Sequence, residues 1–201
     1  MSISRNGKPN TLSLWLLVIS AVLFAACNPK GTNTSNEATP ILTGAPNTTY
    51  PMPPVTAASS AEMGWTLLDG QRARLADYRG KVLVLDFYAT WCAPCRKSIP
   101  HLVELQQGTG AQGLQVIGLN VGGPDDRVKV ASFASEFHIS YPLGFPDKPL
   151  NDLFLSDNDT IPQTFVFDRK GQLVRRIIGY DDSTTGKLEQ VIRSELISGS
   201  Q

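Results

Sequence analysis

Lys81-Val82-Leu83-Val84-Leu85-Asp86-Phe87-Tyr88-Ala89-Thr90-Trp91-Cys92-Ala93-Pro94-Cys95 is the stretch on which the fold turns. Its first eight residues form a nearly continuous apolar run. A strand with one wet face alternates, so this run reads as a strand buried on both faces. A helical pattern follows from about Ala93 to Gln107 and stops at Gly108, with Pro94 in the first turn, where a missing N–H is harmless. Two cysteines thus stand three residues apart at the start of a helix that leaves a buried strand. Asp86 is the one acid inside that strand, where an unpartnered charge is costly.

Outward from this core, the remaining elements follow in order. Trp65 to Leu68, the turn Asp69-Gly70 and Arg72 to Leu75 predict an N-terminal β-hairpin. Leu114 to Val121 is a second buried strand. Pro124 opens a helix with Val130, Phe133, Ala134 and Phe137 on its apolar face. Tyr141 to Phe145 predicts a short strand and Pro149 to Leu155 a short helix. Gln163 to Phe167, the turn Asp168-Arg169-Lys170-Gly171 and Leu173 to Ile178 predict a hairpin. Leu188, Val191, Ile192 and Leu196 mark a C-terminal amphipathic helix. Strand–helix–strand followed by hairpin–helix implies an α/β domain over residues 62–198, with a mixed central sheet and helices on both faces. There is no internal repeat.

The paired cysteines carry the chemistry. A Cys-x-x-Cys at a helix start beside a βαβ pattern reads as a thioredoxin-like redox motif. Free N–H groups and the helix dipole favour an anion at Cys92, which lowers its thiol pKa. A lower pKa gains little in attack, because nucleophilicity falls with it, but it makes Cys92 a good leaving group when a mixed disulfide is attacked at the partner's sulfur. Cys95, one turn on, is expected to be buried. Asp86, raised in pKa by burial, is a candidate acid/base. Other chemistries fit less well. Three cysteines and two histidines, His101 and His138, are a poor zinc set, and covalent haem needs His where Arg96 stands. No metal and no cofactor beyond the Cys92–Cys95 pair is expected, and both histidines read as surface or capping residues. With 18 basic and 18 acidic residues the chain has no net charge, which argues against nucleic acid as a partner.

The stretch Gly80 to Cys95, together with Ile161-Pro162-Gln163-Thr164-Phe165-Val166-Phe167-Asp168, resembles the TlpA/ResA-type branch of the thioredoxin superfamily. These are membrane-anchored thiol–disulfide oxidoreductases. The strand–helix insertion from Leu114 to Phe137 suits that branch, and the resemblance covers about 130 of the 201 residues. It implies a thioredoxin fold in which Pro162 is cis and faces the dithiol, while Ile161 pairs with the backbone of a substrate. Trp91 is then a lid over the dithiol and part of the docking surface, and Pro100 kinks the active-site helix. Asp86 matches the buried acid of thioredoxin, six residues before the first cysteine, which assists proton transfer at the second. One departure stands out: ResA-like members carry Glu three residues after the second cysteine, and this chain has Ser98, so proton handling falls to Asp86. The resemblance also implies a reducing direction, exported disulfide proteins as substrates (apocytochrome c among them) and a thiol–disulfide electron donor in the membrane. Alternatives are a copper-binding chaperone on the same fold, and a disulfide oxidase or isomerase.

The N-terminus reads as an export signal. Arg5 and Lys8 precede Thr11 to Ala26, 16 residues without a charge, short for a membrane span but suited to a signal peptide. The end, Leu23-Phe24-Ala25-Ala26-Cys27, resembles a bacterial lipobox, which implies lipidation of Cys27 after removal of residues 1–26. Phe24 departs from the usual Leu, Val or Ile. Of residues 28–61, Pro, Thr, Asn, Ser and Gly make up 22 of 34, too polar a mixture to offset the entropy of ordering. Residues 27–61 are therefore expected to tether the domain to a membrane, on the periplasmic or outer side of the cell envelope.

Overall fold

A computed structural model describes residues 63–198. The chain divides into two units, Met1–Pro46 and Asn47–Gln201, and all the described residues belong to the second. Seven strands form a single mixed sheet: β1 (Gly64–Leu67), β2 (Arg72–Arg74), β3 (Val82–Tyr88), β4 (Leu114–Asn120), β5 (Leu143–Pro146), β6 (Gln163–Phe167) and β7 (Leu173–Ile178), in the order β2-β1-β5-β4-β3-β6-β7. β3, β4 and β5 run parallel, and the other neighbours are antiparallel. Five helices accompany them: α1 (Ala93–Thr109), α2 (Pro124–Arg127), α3 (Val130–Glu136), α4 (Lys148–Leu155) and α5 (Asp182–Ser198). Among the described residues, no helix is long and apolar enough to cross a membrane.

The apolar run that opened the reading becomes the central strand. Every residue of β3 is buried, because β3 sits third from one edge with layers packed on both its faces. Val82, Val84 and Tyr88 enter one cluster with Ile99, Leu102, Leu188 and Ile192 of α1 and α5. Leu83, Leu85 and Phe87 enter the other, with Trp65, Phe154, Phe165 and Phe167. Asp86 points to the first side, with Val84 and Tyr88, as strand alternation requires.

Several boundaries shift by one or two residues from the sequence reading, and two differences are larger. α1 runs through Gly108 to Thr109 and only then tightens into a single 3₁₀ turn that ends at Gly113, whose φ of 103° is left-handed. The expected stop at Gly108 fails because that glycine keeps helical geometry, and the left-handed residue that terminates the segment lies five positions later. The helix expected from Pro124 is two, α2 and α3, interrupted at Val128 and Lys129. Of its expected apolar face, Val130 and Phe133 are buried, and Ala134 and Phe137 pack partly against the same cluster. The break lets α2 turn a carboxylate inward, with consequences described below.

Candidate active site

The dithiol is placed by the junction of β3 and α1. Cys92 is the N-cap of α1, and Cys95 lies in its first turn with Pro94 between them. The two form a disulfide with their Cα atoms 5.2 Å apart. The N–H of Cys95 points at the Cys92 sulfur, 3.2 Å away, so a free helix N–H serves the outer sulfur. Cys95 is fully buried, as expected. Cys92 is also largely covered, at 5% exposure, whereas the Trp91 ring beside it is 65% exposed. Its open ring gives Trp91 the position of a contact surface.

On the opposite side of the sulfur stands the loop that leads into β6. The Ile161–Pro162 peptide is cis, and the Ile161 carbonyl oxygen is 3.7 Å from Cys92 Sγ. Pro162 immediately precedes β6, where a missing N–H leaves no gap in the ladder. The loop is held from behind. Gln163 donates through its side chain to the carbonyls of Asn158 and Thr160, each 3.0 Å. Arg176 of β7, itself buried, donates to Gln163 Oε1 and forks onto Asp157 at 2.6 and 3.0 Å.

Asp86 lies one strand away. The β3–β6 register pairs it directly with Thr164, and the Thr164 hydroxyl donates to Asp86 Oδ1 at 2.9 Å. Asp86 Oδ2 accepts no hydrogen bond from the described residues. Burial pushes the carboxyl up to about 7, and the Thr164 hydroxyl works against that rise. The neighbouring Tyr88 and Tyr141 phenols are raised by burial first and by the Asp86 charge second. A narrow cleft lined by Ser98, His101, Pro162 and Thr164, among others, has room for about one water molecule. A carboxyl near neutrality within the layer that holds Cys95 can take or return a proton at physiological pH.

The sequence reading also missed features of the site. Ser98, in the place of the family's glutamate, is buried and donates to the Cys95 carbonyl at 2.9 Å, a helical back-bond that satisfies its hydroxyl. His101 is no surface residue: its side chain is 14% exposed, and Nε2 lies 3.6 Å from Glu189. His138 is exposed and holds a left-handed φ of 50° just past α3, a capping position. Asp181 Oδ1 accepts from the Thr184 N–H at 2.8 Å and so caps α5. Thr90 and Asp126, joined by two hydrogen bonds, were not singled out at all. Cys27 and the export signal lie outside the described residues.

Comparison with known proteins places this geometry. The family model for AhpC/TSA proteins matches residues 51–176. The chain belongs to the AhpC/TSA family. Within it, the relatives are of ResA type: the thiol-disulfide oxidoreductase ResA of Geobacillus thermodenitrificans is 35% identical over 114 residues, 56% of this chain and 63% of the relative. The chain thus spans less than two thirds of that relative's length. Among solved structures, a candidate thiol:disulfide interchange protein DsbE from Chlorobium tepidum is 28% identical with a TM-score of 0.58, covering 66% of this chain and 92% of that one. A candidate protein disulfide isomerase from Bacteroides thetaiotaomicron is 32% identical with a TM-score of 0.56, covering 66% and 84%. The expected thioredoxin-like fold and ResA kinship are therefore correct.

Proposed function

We propose that this protein is a thiol–disulfide oxidoreductase working through the Cys92–Cys95 pair, with Asp86 as its proton acceptor and donor. The observation that carries the reading is the convergence of three elements on one sulfur. Cys92 caps α1, accepts the Cys95 N–H, and faces the Ile161 carbonyl ahead of a cis proline. The ResA name of its relatives supports the same reading.

In the reducing direction, the Cys92 thiolate attacks a substrate disulfide. A mixed disulfide forms and one substrate sulfur leaves as thiolate. Cys95 then attacks Cys92 Sγ; the mixed disulfide breaks, the second substrate sulfur leaves, and the Cys92–Cys95 bond takes up the two-electron oxidation. Asp86 accepts the Cys95 proton as its sulfur becomes the nucleophile, and returns it when the pair is reduced again. Helix N–H groups at Cys92 keep it a thiolate, and make it a good leaving group when the donor's second thiol attacks the donor sulfur of the mixed disulfide that recharges the pair. Trp91 and the Ile161–Pro162 edge receive the substrate backbone beside the disulfide.

The protein is exported, is held to a membrane through lipidated Cys27 and residues 28–61, and reduces disulfides in other exported proteins, apocytochrome c among the candidates. A thiol–disulfide donor in the membrane recharges it. The N-terminal sequence and the ResA kinship support this setting. The test is direct: reduced protein is mixed with insulin and the loss of its interchain disulfides is followed. Wild type should turn over with dithiothreitol as donor, while Cys92→Ala and Cys95→Ala should not. Activity that survives in Cys92→Ala overturns the assignment.

A further inference from the structure

Asp126 is 1% exposed, on the short helix α2, thirty-six positions after Thr90. Its carboxylate is fully engaged. Oδ2 accepts from the Thr90 N–H at 2.9 Å and from Asn120 Nδ2 at 2.7 Å, and Oδ1 accepts the Thr90 hydroxyl. Burial alone would push this carboxyl up, but the Asn120 and Thr90 hydrogen bonds outweigh it and hold it below the usual range. Thr90 is two residues before Cys92, in the turn that Cys92 closes by donating its N–H to the Ala89 carbonyl at 3.2 Å. The Thr90 carbonyl in turn accepts from Arg96 at 3.4 Å. Arg96 is paired with Glu136 and lies 4.7 Å from the Phe137 ring and 5.5 Å from Phe133. Donor, hydroxyl and carbonyl of Thr90 are thus all gripped by the α2–α3 segment or by a side chain that rests on it. Gly122 makes the grip possible: a Cβ there would meet Asp126 Oδ2 at 2.2 Å and its Cγ at 2.6 Å.

We infer that Asp126 is a positioning residue for the dithiol: its carboxylate, bonded to Thr90, fixes the turn that holds Cys92 over the α1 N-terminus and so sets the reactivity and potential of the pair. The inference deepens the reading above and rests on it. A charged acceptor bonded to a buried backbone N–H is among the stronger single contacts available, and small displacements of a reacting group cost rate steeply.

Four variants decide it: Asp126→Asn, Gly122→Ala, Thr90→Val and the exchange Asn120→Asp/Asp126→Asn. Two readouts need no substrate protein. One is the rate at which iodoacetamide alkylates Cys92 in a Cys95→Ser background at fixed pH. The other is the equilibrium of the Cys92–Cys95 pair with glutathione. Asp126→Asn and Gly122→Ala should slow alkylation about tenfold and shift the equilibrium toward the disulfide by a similar factor. Thr90→Val, which keeps the carboxylate and its Asn120 bond, should give about threefold. The exchange restores the 120–126 bond but leaves the Thr90 N–H facing an amide, so it should recover thermal stability and not reactivity.

The inference is overturned if folded variants match wild type in both readouts, or if the exchange restores reactivity along with stability. It is also overturned if Asp126→Asn speeds alkylation while Gly122→Ala does nothing, because the carboxylate would then act only through its charge. Should Asp126→Asn fail to fold, Thr90→Val decides alone. Failure of the oxidoreductase reading would appear instead as wild-type protein that does not reduce insulin.

Discussion

Asp86→Asn separates a proton from a hydrogen bond. In the folded protein burial raises the Asp86 carboxyl from its ordinary 3.8 to about 7. Between those values the folded state keeps a proton that the unfolded chain has released, so stability must fall as pH rises through the interval and stay low above it. Each unit is worth about 1.4 kcal/mol, which gives about 4 kcal/mol over the whole span and about 3 kcal/mol between pH 5 and pH 8. That is a large part of the 5–15 kcal/mol typical of a domain. Asparagine keeps the acceptor for Thr164 and cannot ionise. Chemical denaturation of the oxidised protein at pH 5, 6, 7 and 8 should therefore show wild type losing about 3 kcal/mol more than Asp86→Asn across the series. The two curves should converge only toward about pH 4, with the variant the more stable at pH 8. Every other group is common to the two proteins and cancels in the difference. Parallel curves would mean that Asp86 is ionised throughout, and the proton role would go with it. If the carboxyl does serve Cys95, disulfide reduction by the variant should slow by about tenfold to a hundredfold near neutrality, at or below the low end of general-base assistance because thiol exchange is intrinsically easy.

Other outcomes follow from the same geometry. Thr164→Val removes the donor that opposes the rise at Asp86, so the pH range over which stability falls should move upward, as the same denaturation series would show; an unchanged range refutes the assigned cause. Cys95→Ser should trap substrates covalently on Cys92, and Cys92→Ser should trap few or none, read by non-reducing gels; the reverse pattern exchanges the two roles. Arg176→Ala should cost about 2–3 kcal/mol in denaturation, because it strands Gln163 and removes the fork onto Asp157 behind the Ile161–Pro162 loop; a loss below about 0.5 kcal/mol would make the fork ornamental. Mass spectrometry of the mature N-terminus should find a diacylglyceryl group on Cys27, and an unmodified Cys27 on a chain still beginning at Met1 refutes the anchor.

The fold was legible because its centre is made of unambiguous residues. Gln163 to Phe167 and Leu173 to Ile178 match β6 and β7 to the residue, since β-branched and aromatic runs joined by Asp168-Arg169-Lys170-Gly171 admit little else. Gly108 misled because a glycine inside a helix costs only about 1 kcal/mol and tertiary packing absorbs it. The α2–α3 break escaped notice because Pro124 and the helical spacing of Val130, Phe133, Ala134 and Phe137 suit one continuous helix, and only the fold shows which of two adjacent aspartates faces inward. Cys92, Cys95, Asp86 and Pro162 were readable as residue types out of place, such as an acid in an apolar strand. Asp126, Thr164 and Arg176 were not. A threonine opposite an acid, or an arginine in an edge hairpin, is common in sequence and acquires meaning only from the partner across the sheet.

The two halves of the site are also separated in time. The disulfide closes over three residues and needs no fold to form. Its setting does: Ile161 is 69 positions from Cys92, and Thr164 is 78 from Asp86. A chain that emerges N-terminus first therefore completes its cysteine pair long before β6 exists, and contacts of such separation are among the last that folding makes. During that interval the pair lacks the surroundings that tune it and is open to whatever oxidant or thiol is at hand. Pairing of β3 with β6 sets Thr164 against the carboxyl and, through the loop that leads into β6, the Ile161 carbonyl against Cys92, and turns a local cross-link into a site whose chemistry belongs to the finished domain.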